Sequence, residues 1–377
     1  MNNLFYDPQI FYQKVGGISR YFVEVINRLS QEPDFNVTLP LVYTQNKYLK
    51  ASPYLNFDFD IDIINHRFLK NYAPKLYGLN HKKAIHYLKN QQYDIVHTTY
   101  YDNYFLPYLK NSRLVTTIHD MIHERGLVQY TPQGINEGDK TIENRKKQIE
   151  TASSIVAVSE NTKKDLVDIL NVSPEKVRVI YHGVSFNVEE LEKNVVRKIP
   201  QNYMLYVGSR ANYKNFDRFL SVAAELMRQN SDLYLVCTGG GEWSEKEKEL
   251  IKKQGIESKI IHFDYVDDAI LYGLYKYALC FVFPSLYEGF GIPILEAFAA
   301  KCPTALSQSS CFPEIAENGA AYFDPNDEAS MYQSINHLLF NSQLQKTLID
   351  NGEQRLRYFS WDKCAFQHKE LYLNLLK

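Results

Sequence analysis

The chain has 377 residues, with 42 basic and 44 acidic side chains and a formal net charge of −2. That length exceeds one ordinary core and predicts two domains, while near-neutrality excludes the broad basic field expected of a nucleic-acid binder. Five cysteines without C-x-x-C pairing fit a reducing cytosol, and a start (MNNLFYDPQIFYQK) without signal-peptide regions or any long apolar run points to a cytoplasmic protein.

In chain order, KVGGISRYFVEVINRL sets Gly16 and Gly17 before a predicted helix that carries Arg20. Paired glycines let backbone amides turn toward an anion; a simple tight turn is the alternative. A strand is predicted at NVTLPLVYT. FDFDID (57–62) repeats D-x-D, but its alternation reads as an edge strand with aspartates facing water. Residues 63–93 hold six Lys/Arg and no Asp or Glu, interleaved with aromatic residues. Such a stretch suits an anionic membrane surface, or is an ordinary basic surface helix.

YDIVHTT and RLVTTIHD read as strands, the second ending in His119-Asp120 with His123 close behind. A buried hydrogen-bonded histidine, a metal pair and a cleft donor all remain open there, although no zinc-like spacing of further Cys or His supports metal. SSIVAVSE is a strand followed by the predicted helix NTKKDLVDIL, with Ser159 or Asn161 as its cap, and VRVIYHGV is the next strand. The polar segment 185–202 reads as a linker, dividing a first domain (1–190) from a second (191–357).

The second set of strands is YMLYVGS, DLYLVCTGGG, KIIHFDYV, LCFVFPS, PTALS and AAYFDP. After the first of them, VGSRANYKNFDRFL sets Gly208, Arg210 and Lys214 at a strand–loop–helix junction suited to an anionic ligand. TGGGEW (238–243) is glycine-rich but lacks the dinucleotide spacing, and no P-loop is present. After LCFVFP comes YEGFGIPILEAFAA, with Glu288 on the loop, Gly289, Phe290 and Gly291 leaving amides open, Pro293 at the expected helix start and Glu296 in the expected first turn. Ionised carboxylates accept hydrogen bonds from vicinal sugar hydroxyls. The tail, 358–377, is an amphipathic helix expected to return to the first domain. The alternation throughout is α/β, two parallel-sheet domains with their strand ends facing a cleft.

Taken together, GGISRY, TIHD, VAVSENTKKDL, YVGSRANYKNFDRFL, FDYVDDAILYGLY, FPSLYEGFGIPILEAFAA, FPEIAENGAAYFDP and FSWDKCA resemble the retaining glycosyltransferases of family four, which have the GT-B fold. The resemblance covers nearly the whole chain and implies that the first domain faces the acceptor while the second binds the sugar nucleotide. It implies that Arg210 and Lys214 hold a donor diphosphate and that Glu288 and the amides of Gly289, Phe290 and Gly291 meet the transferred sugar. Glu296 would bind the nucleotide ribose and the Tyr265–Val266 backbone the base, while His119 would contact the sugar and Gly17 the diphosphate. Only five residues separate Gly208 from Lys214, a shorter turn than the family usually has, which bears most on Arg210.

The expected activity is metal-independent, retaining transfer of a hexose from a nucleotide-diphosphate sugar to a glycan or lipid-linked acceptor in surface polysaccharide synthesis. No cofactor is expected. GDP-mannose is the favoured donor and a UDP-sugar the next. Peripheral contact with the inner membrane face would run through residues 63–93. The competing readings are a glycoside hydrolase using Glu288 and Glu296 and a non-catalytic sugar-nucleotide-binding subunit.

Overall fold

Two parallel sheets organise the chain in a computed structural model that describes residues 1–52, 73–127, 137–184, 186–194, 199, 202–210 and 212–377. FDFDID, the first ten residues of the basic stretch and parts of the expected linker lie outside the described residues. Contacts divide the molecule into two units. One holds residues up to Glu124, then Tyr130–His182 and Trp361–Lys377; the other holds Gly183–Ser360 and a short segment beginning at Arg125.

The first unit runs β1 (Asn2–Tyr6), α1 (Gly17–Leu29), β2 (Phe35–Thr38), α2 (Lys47–Lys50), α3 (Ala73–Asn90) and β3 (Ile95–Thr98). It continues with β4 (Arg113–Ile118), α4 (Glu137–Thr151), β5 (Ser154–Ala157), α5 (Glu160–Leu170) and β6 (Val177–Val179). Its sheet has the order β2-β1-β3-β4-β5-β6, with every pairing parallel. The central strands β3 and β5 are buried along their whole length, so their apolar runs are continuous rather than alternating. The sequence reading missed β1, because NNLFY was weighed only as a possible leader. Ser159, rather than Asn161, caps α5 by accepting from the Thr162 amide.

The second unit runs α6 (Val188–Asn194), β7 (Asn202–Val207), α7 (Phe216–Gln229), β8 (Leu233–Thr238), α8 (Glu245–Gln254), β9 (Ile260–Phe263) and α9 (Asp268–Lys276). Then follow β10 (Cys280–Phe283), α10 (Ile292–Ala299), β11 (Thr304–Ser307), α11 (Phe312–Ala316), β12 (Ala321–Phe323), α12 (Glu328–Phe340) and α13 (Ser342–Leu356). Here the order is β9-β8-β7-β10-β11-β12, again all parallel. Phe216, Phe219, Leu220, Ala223, Leu226 and Met227 form the buried stripe of α7, at helical spacing, and join β7 and β8 in one core. The segment read as a linker contains the helix α6, and Glu192 on it takes Lys276 and Tyr272 of α9 as partners.

The last helix, α14 (Trp361–Leu375), belongs to the first unit. Trp361, Cys364 and Tyr372 enter that unit's core, and burying side chains of this size stabilises by roughly 2–3 kcal/mol each. Its polar groups are also satisfied. The hydroxyls of Tyr6 and Tyr372 lie 2.7 Å apart, Tyr372 reaches His97 Nδ1 at 2.5 Å, and Tyr21 reaches His368 Nε2 at 2.8 Å. A helix that brings both apolar area and matched buried hydrogen bonds docks in one register.

Candidate active site

Parallel open sheets bind ligands beyond their strand carboxyl ends, where neighbouring strands send their connections to opposite faces. In the second sheet that point lies between β7 and β10, paired as Cys280 with Met204 and Phe281 with Leu205. The two motifs singled out above leave these two strands.

After β7 the chain turns at Gly208, whose φ of 129° favours glycine. The loop then leads through Tyr213 and Lys214 into α7. After β10, Leu286 donates its amide to the Tyr213 carbonyl at 2.8 Å, which ties the two loops together. Across that tie Lys214 Nζ meets Glu288 Oε1 at 2.6 Å, with the side chains only 14% and 13% exposed. The β11 end braces the second loop, since Ser309 Oγ donates to the Leu286 carbonyl and the Glu288 amide donates to Ser310 Oγ. Gly291 (φ 93°) starts α10 in a left-handed conformation, and a β-carbon there would crowd Ile294 and Phe312. Gly289 and Phe290 are buried on the same loop, and the Phe290 carbonyl accepts from Cys311.

Arg210, the other cation expected at the diphosphate, is differently engaged. Arg210, with a side chain 3% exposed, donates through Nε to Glu247 Oε1 at 2.6 Å and through Nη1 to the Gly239 carbonyl at 2.6 Å. Its Nη2 donates to the carbonyls of Gly241 and Glu242, and its guanidinium lies 4.3 Å from the Trp243 ring centre. Burial alone would raise the Glu247 carboxyl, but hydrogen bonds from Arg210 and Ser244 together hold it below the usual range. Arg210 therefore braces the TGGGEW loop, while Lys214 is the cation set against Glu288. This also explains the glycines: Gly239, Gly240 and Gly241 all have positive φ, and a β-carbon on Gly240 would fall 2.6 Å from Arg210 Nη1.

Glu296 is the fifth residue of α10, with no acid in that helix's first turn, so the expectation of a dipole-stabilised first-turn acid is corrected. Pro293 is the second helical residue rather than the first. Glu296 is 7% exposed and accepts a 3.0 Å hydrogen bond from the Tyr275 hydroxyl. Burial, then the Glu296 charge, pushes the Tyr275 phenol well up, so it stays a donor. Tyr265, 51% exposed, and Val266 follow β9 just before α9.

In the first unit, Gly16 is the residue before α1 and is extended; its carbonyl accepts from Ser19 Oγ and the Arg20 amide. Gly17 is the first helical residue. His119 follows β4 and is packed edge-on against Tyr21 and Phe22. Burial, with the Arg145 charge second, pushes its pKa down to about 3, and its Nε2 has no hydrogen-bond partner among the described residues. A neutral imidazole with a spare nitrogen offers one hydrogen bond and no charge. Sequence reasoning also missed the buried pair Arg145–Glu124 (2.7 Å, both side chains 2% exposed), where Arg145 Nη1 also donates to the Asp120 carbonyl.

Among the described residues no group of three or more His, Cys, Asp or Glu is arranged to hold a metal, and no helix is long and apolar enough to cross a membrane. In the described part of the basic stretch, Lys83 donates to the Leu41 carbonyl and Lys89 lies over the Tyr108 ring.

Two family models match the chain, one described as Glycosyltransferase Family 4 over residues 15–188 and one as Glycosyl transferases group 1 over residues 187–355. Among similar proteins, the O-antigen chain mannosyltransferase B of Escherichia coli is 25% identical, covering 94% of this chain and 95% of its own. The O-antigen chain mannosyltransferase RfbU of Salmonella typhimurium is 29% identical over 55% of this chain and 60% of its own. Solved structures share the fold. Sucrose-phosphate synthase from Thermosynechococcus elongatus superposes with a TM-score of 0.71 at 19% identity, covering 100% of this chain and 99% of its own. Anabaena HepE in complex with UDP and glucose gives 0.70 at 17% identity, covering 98% and 99%.

Proposed function

Starting from a chain that belongs to glycosyltransferase family 4 and is a glycosyltransferase, we propose that it moves a hexose from a nucleoside-diphosphate sugar to a glycan or lipid-linked acceptor, with retention and without a metal. The observation that carries this is the Lys214–Glu288 pair at the switch point of the second sheet. It joins a cation suited to phosphate oxygens to a carboxylate suited to sugar hydroxyls. A diphosphate sugar satisfies both ends at once and exchanges one internal ion pair for two ligand contacts.

Breaking the anomeric bond sends its electron pair to the diphosphate, so the largest demand is stabilisation of that negative charge. Lys214 supplies it, and Glu288 orients the sugar while facing the positive charge that develops at the anomeric carbon. The acceptor hydroxyl attacks from the leaving-group face as a diphosphate oxygen takes its proton. Glu296, fixed by Tyr275, binds the ribose hydroxyls, and the backbone at Tyr265–Val266 meets the base. Arg210 acts through the loop it braces. Hydrolysis of a glycoside would require two carboxylates across one bond, whereas Glu288 is ion-paired and Glu296 is tied to a phenol.

The mannosyltransferase relatives support mannose as the sugar and GDP-mannose as the first donor to test, with UDP-sugars next. Their O-antigen names support a surface polysaccharide as the product. A thermal-shift comparison of GDP, UDP, dTDP and ADP tests the reading, because a bound ligand raises stability by mass action. GDP should stabilise most, and the gain should vanish in Lys214→Ala. Stabilisation by no nucleotide would refute the proposal.

A further inference from the structure

The turn that begins at His119 leads directly into the second unit. Asp120 Oδ1 accepts the Ile122 amide at 3.2 Å, and Arg145 Nη1 donates to the Asp120 carbonyl at 2.9 Å and to Glu124 Oε2 at 2.7 Å. Both side chains of that ion pair are 2% exposed, and the Arg145 guanidinium lies 4.2 Å from the Tyr101 ring centre. Residues 120–124 are therefore pinned at both ends. The next residue, Arg125, already belongs to the second unit, and a trans peptide sets its Cα about 3.8 Å from that of Glu124. Arg125 is exposed, yet its guanidinium lies 5.0 Å from the centre of the Tyr287 ring, within cation–π range. Tyr287 is 3% exposed and directly precedes Glu288.

We propose that Arg125 is a positioning residue for sugar transfer, clamping the Tyr287 ring and so keeping Glu288 aimed once a ligand has taken Lys214. The inference rests on the reading of Glu288 as the sugar-binding carboxylate and adds a residue from outside the two strand–loop–helix junctions. Glu288 is anchored twice, through its carboxylate by Lys214 Nζ at 2.6 Å and through its amide, which donates to Ser310 Oγ at 3.1 Å. A diphosphate that draws Lys214 to itself removes the first anchor. The loop is then held by its backbone: the Glu288 amide on Ser310, the Leu286 amide on the Tyr213 carbonyl at 2.8 Å, and Ser309 Oγ on the Leu286 carbonyl at 2.6 Å.

Tyr287 lies between these bonded positions, and a tilt of its ring carries the neighbouring carboxylate with it. A cation over the ring restrains that tilt, and misplacement of a reacting group by about 1 Å can cost ~100-fold in rate. The contribution to global stability is small, because the guanidinium itself stays in water. Arg125 thus differs from Arg210, which is buried and whose donors all serve to brace one loop.

The test uses the full chain with GDP-mannose and UDP-glucose as donors, read by nucleoside-diphosphate release and thermal melting. Arg125→Ala should lower kcat about tenfold, the loss of one partly desolvated cation–π contact. The donor KM should stay within about twofold and the melting temperature within about 2 °C. Arg125→Lys keeps a cation able to lie over the ring and should recover most of the rate. In a Tyr287→Leu background Arg125→Ala should change kcat by less than about twofold, because the ring is already gone. A Glu288→Ala background, with no carboxylate left to place, should give the same result and serves if Tyr287→Leu fails to fold. An unchanged kcat in Arg125→Ala, or a further tenfold loss in either background, would overturn the inference, the second by showing that Arg125 meets the substrate itself. GDP or UDP should stabilise Arg125→Ala as much as the unaltered protein. Stabilisation of the unaltered protein by neither nucleotide would refute the donor site and this role with it, whereas an unchanged kcat beside intact nucleotide stabilisation would refute the role of Arg125 alone.

Discussion

Replacing Lys214 with methionine removes the positive charge and keeps most of the side-chain volume. Lys214 and Glu288 are 2.6 Å apart and 14% and 13% exposed, between the exposed pairs worth about 0–1 kcal/mol and the fully buried ones whose breaking costs about 3–5 kcal/mol. The cost to the second unit should be about 2 kcal/mol, or ~4–8 °C in melting temperature for a unit of this size. Turnover should fall far more. On the proposed reading the missing charge would act on the leaving diphosphate, and loss of one such contact costs about 3–4 kcal/mol, or roughly 100–1,000-fold in kcat. Lys214→Met/Glu288→Gln separates the two effects, because the orphaned carboxylate is gone. Stability should return to within about 1 kcal/mol of the unaltered protein, with no recovery of turnover. The assay is nucleoside-diphosphate release alongside thermal melting. A kcat within tenfold of the parent in Lys214→Met, or recovered turnover in the double variant, would refute the reasoning.

Arg210→Lys should destabilise the second unit by about 2–4 kcal/mol in a denaturant titration, since an ammonium cannot reproduce the fork that meets Glu247, Gly239, Gly241 and Glu242. Gly240→Ala combines a positive φ with a 2.6 Å clash against Arg210 Nη1, and should cost about 1–3 kcal/mol and weaken nucleotide binding through the same loop. The first unit should be the more acid-labile. Burial lowers His119 to about 3 and His368 to about 4, so these groups stay neutral in the folded protein while their unfolded forms take protons below pH ~6.5. Stability is intact above that pH and falls as pH drops toward the folded values, by up to about 1.4 kcal/mol per pH unit for each histidine. Circular dichroism between pH 7 and 5 should show the loss, and a flat stability would contradict the burial.

The α/β class and the strand–loop–helix junctions at 207–220 and 280–299 could be read from the chain, because continuous apolar runs followed by glycine are local signals. β1 was missed because NNLFY was weighed only as a possible leader, although its length is no shorter than that of strands read elsewhere in the chain. The contacts of Arg210 were hidden for a different reason. Its acceptors are backbone carbonyls at positions 239, 241 and 242, and a carbonyl has no letter in the sequence. Glu296 was misjudged by a shift of the helix start, which moved it from a terminus, where the dipole matters, to a buried position facing Tyr275.

By itself the sequence determined which residues were available: two sets of strands, a lysine after one and a glutamate after another, and family motifs in the right order. Only the tertiary structure decided which of them meet. β7 and β10 are adjacent because the second sheet is wound in a particular order, and that order brings Lys214 to Glu288 across 74 positions of chain. Tertiary structure alone likewise sets Arg125 over the Tyr287 ring. Spacing along a chain governs what lies on one helix or strand. Contact between strands is governed by the pairing of the sheet, which depends on every segment packing at once.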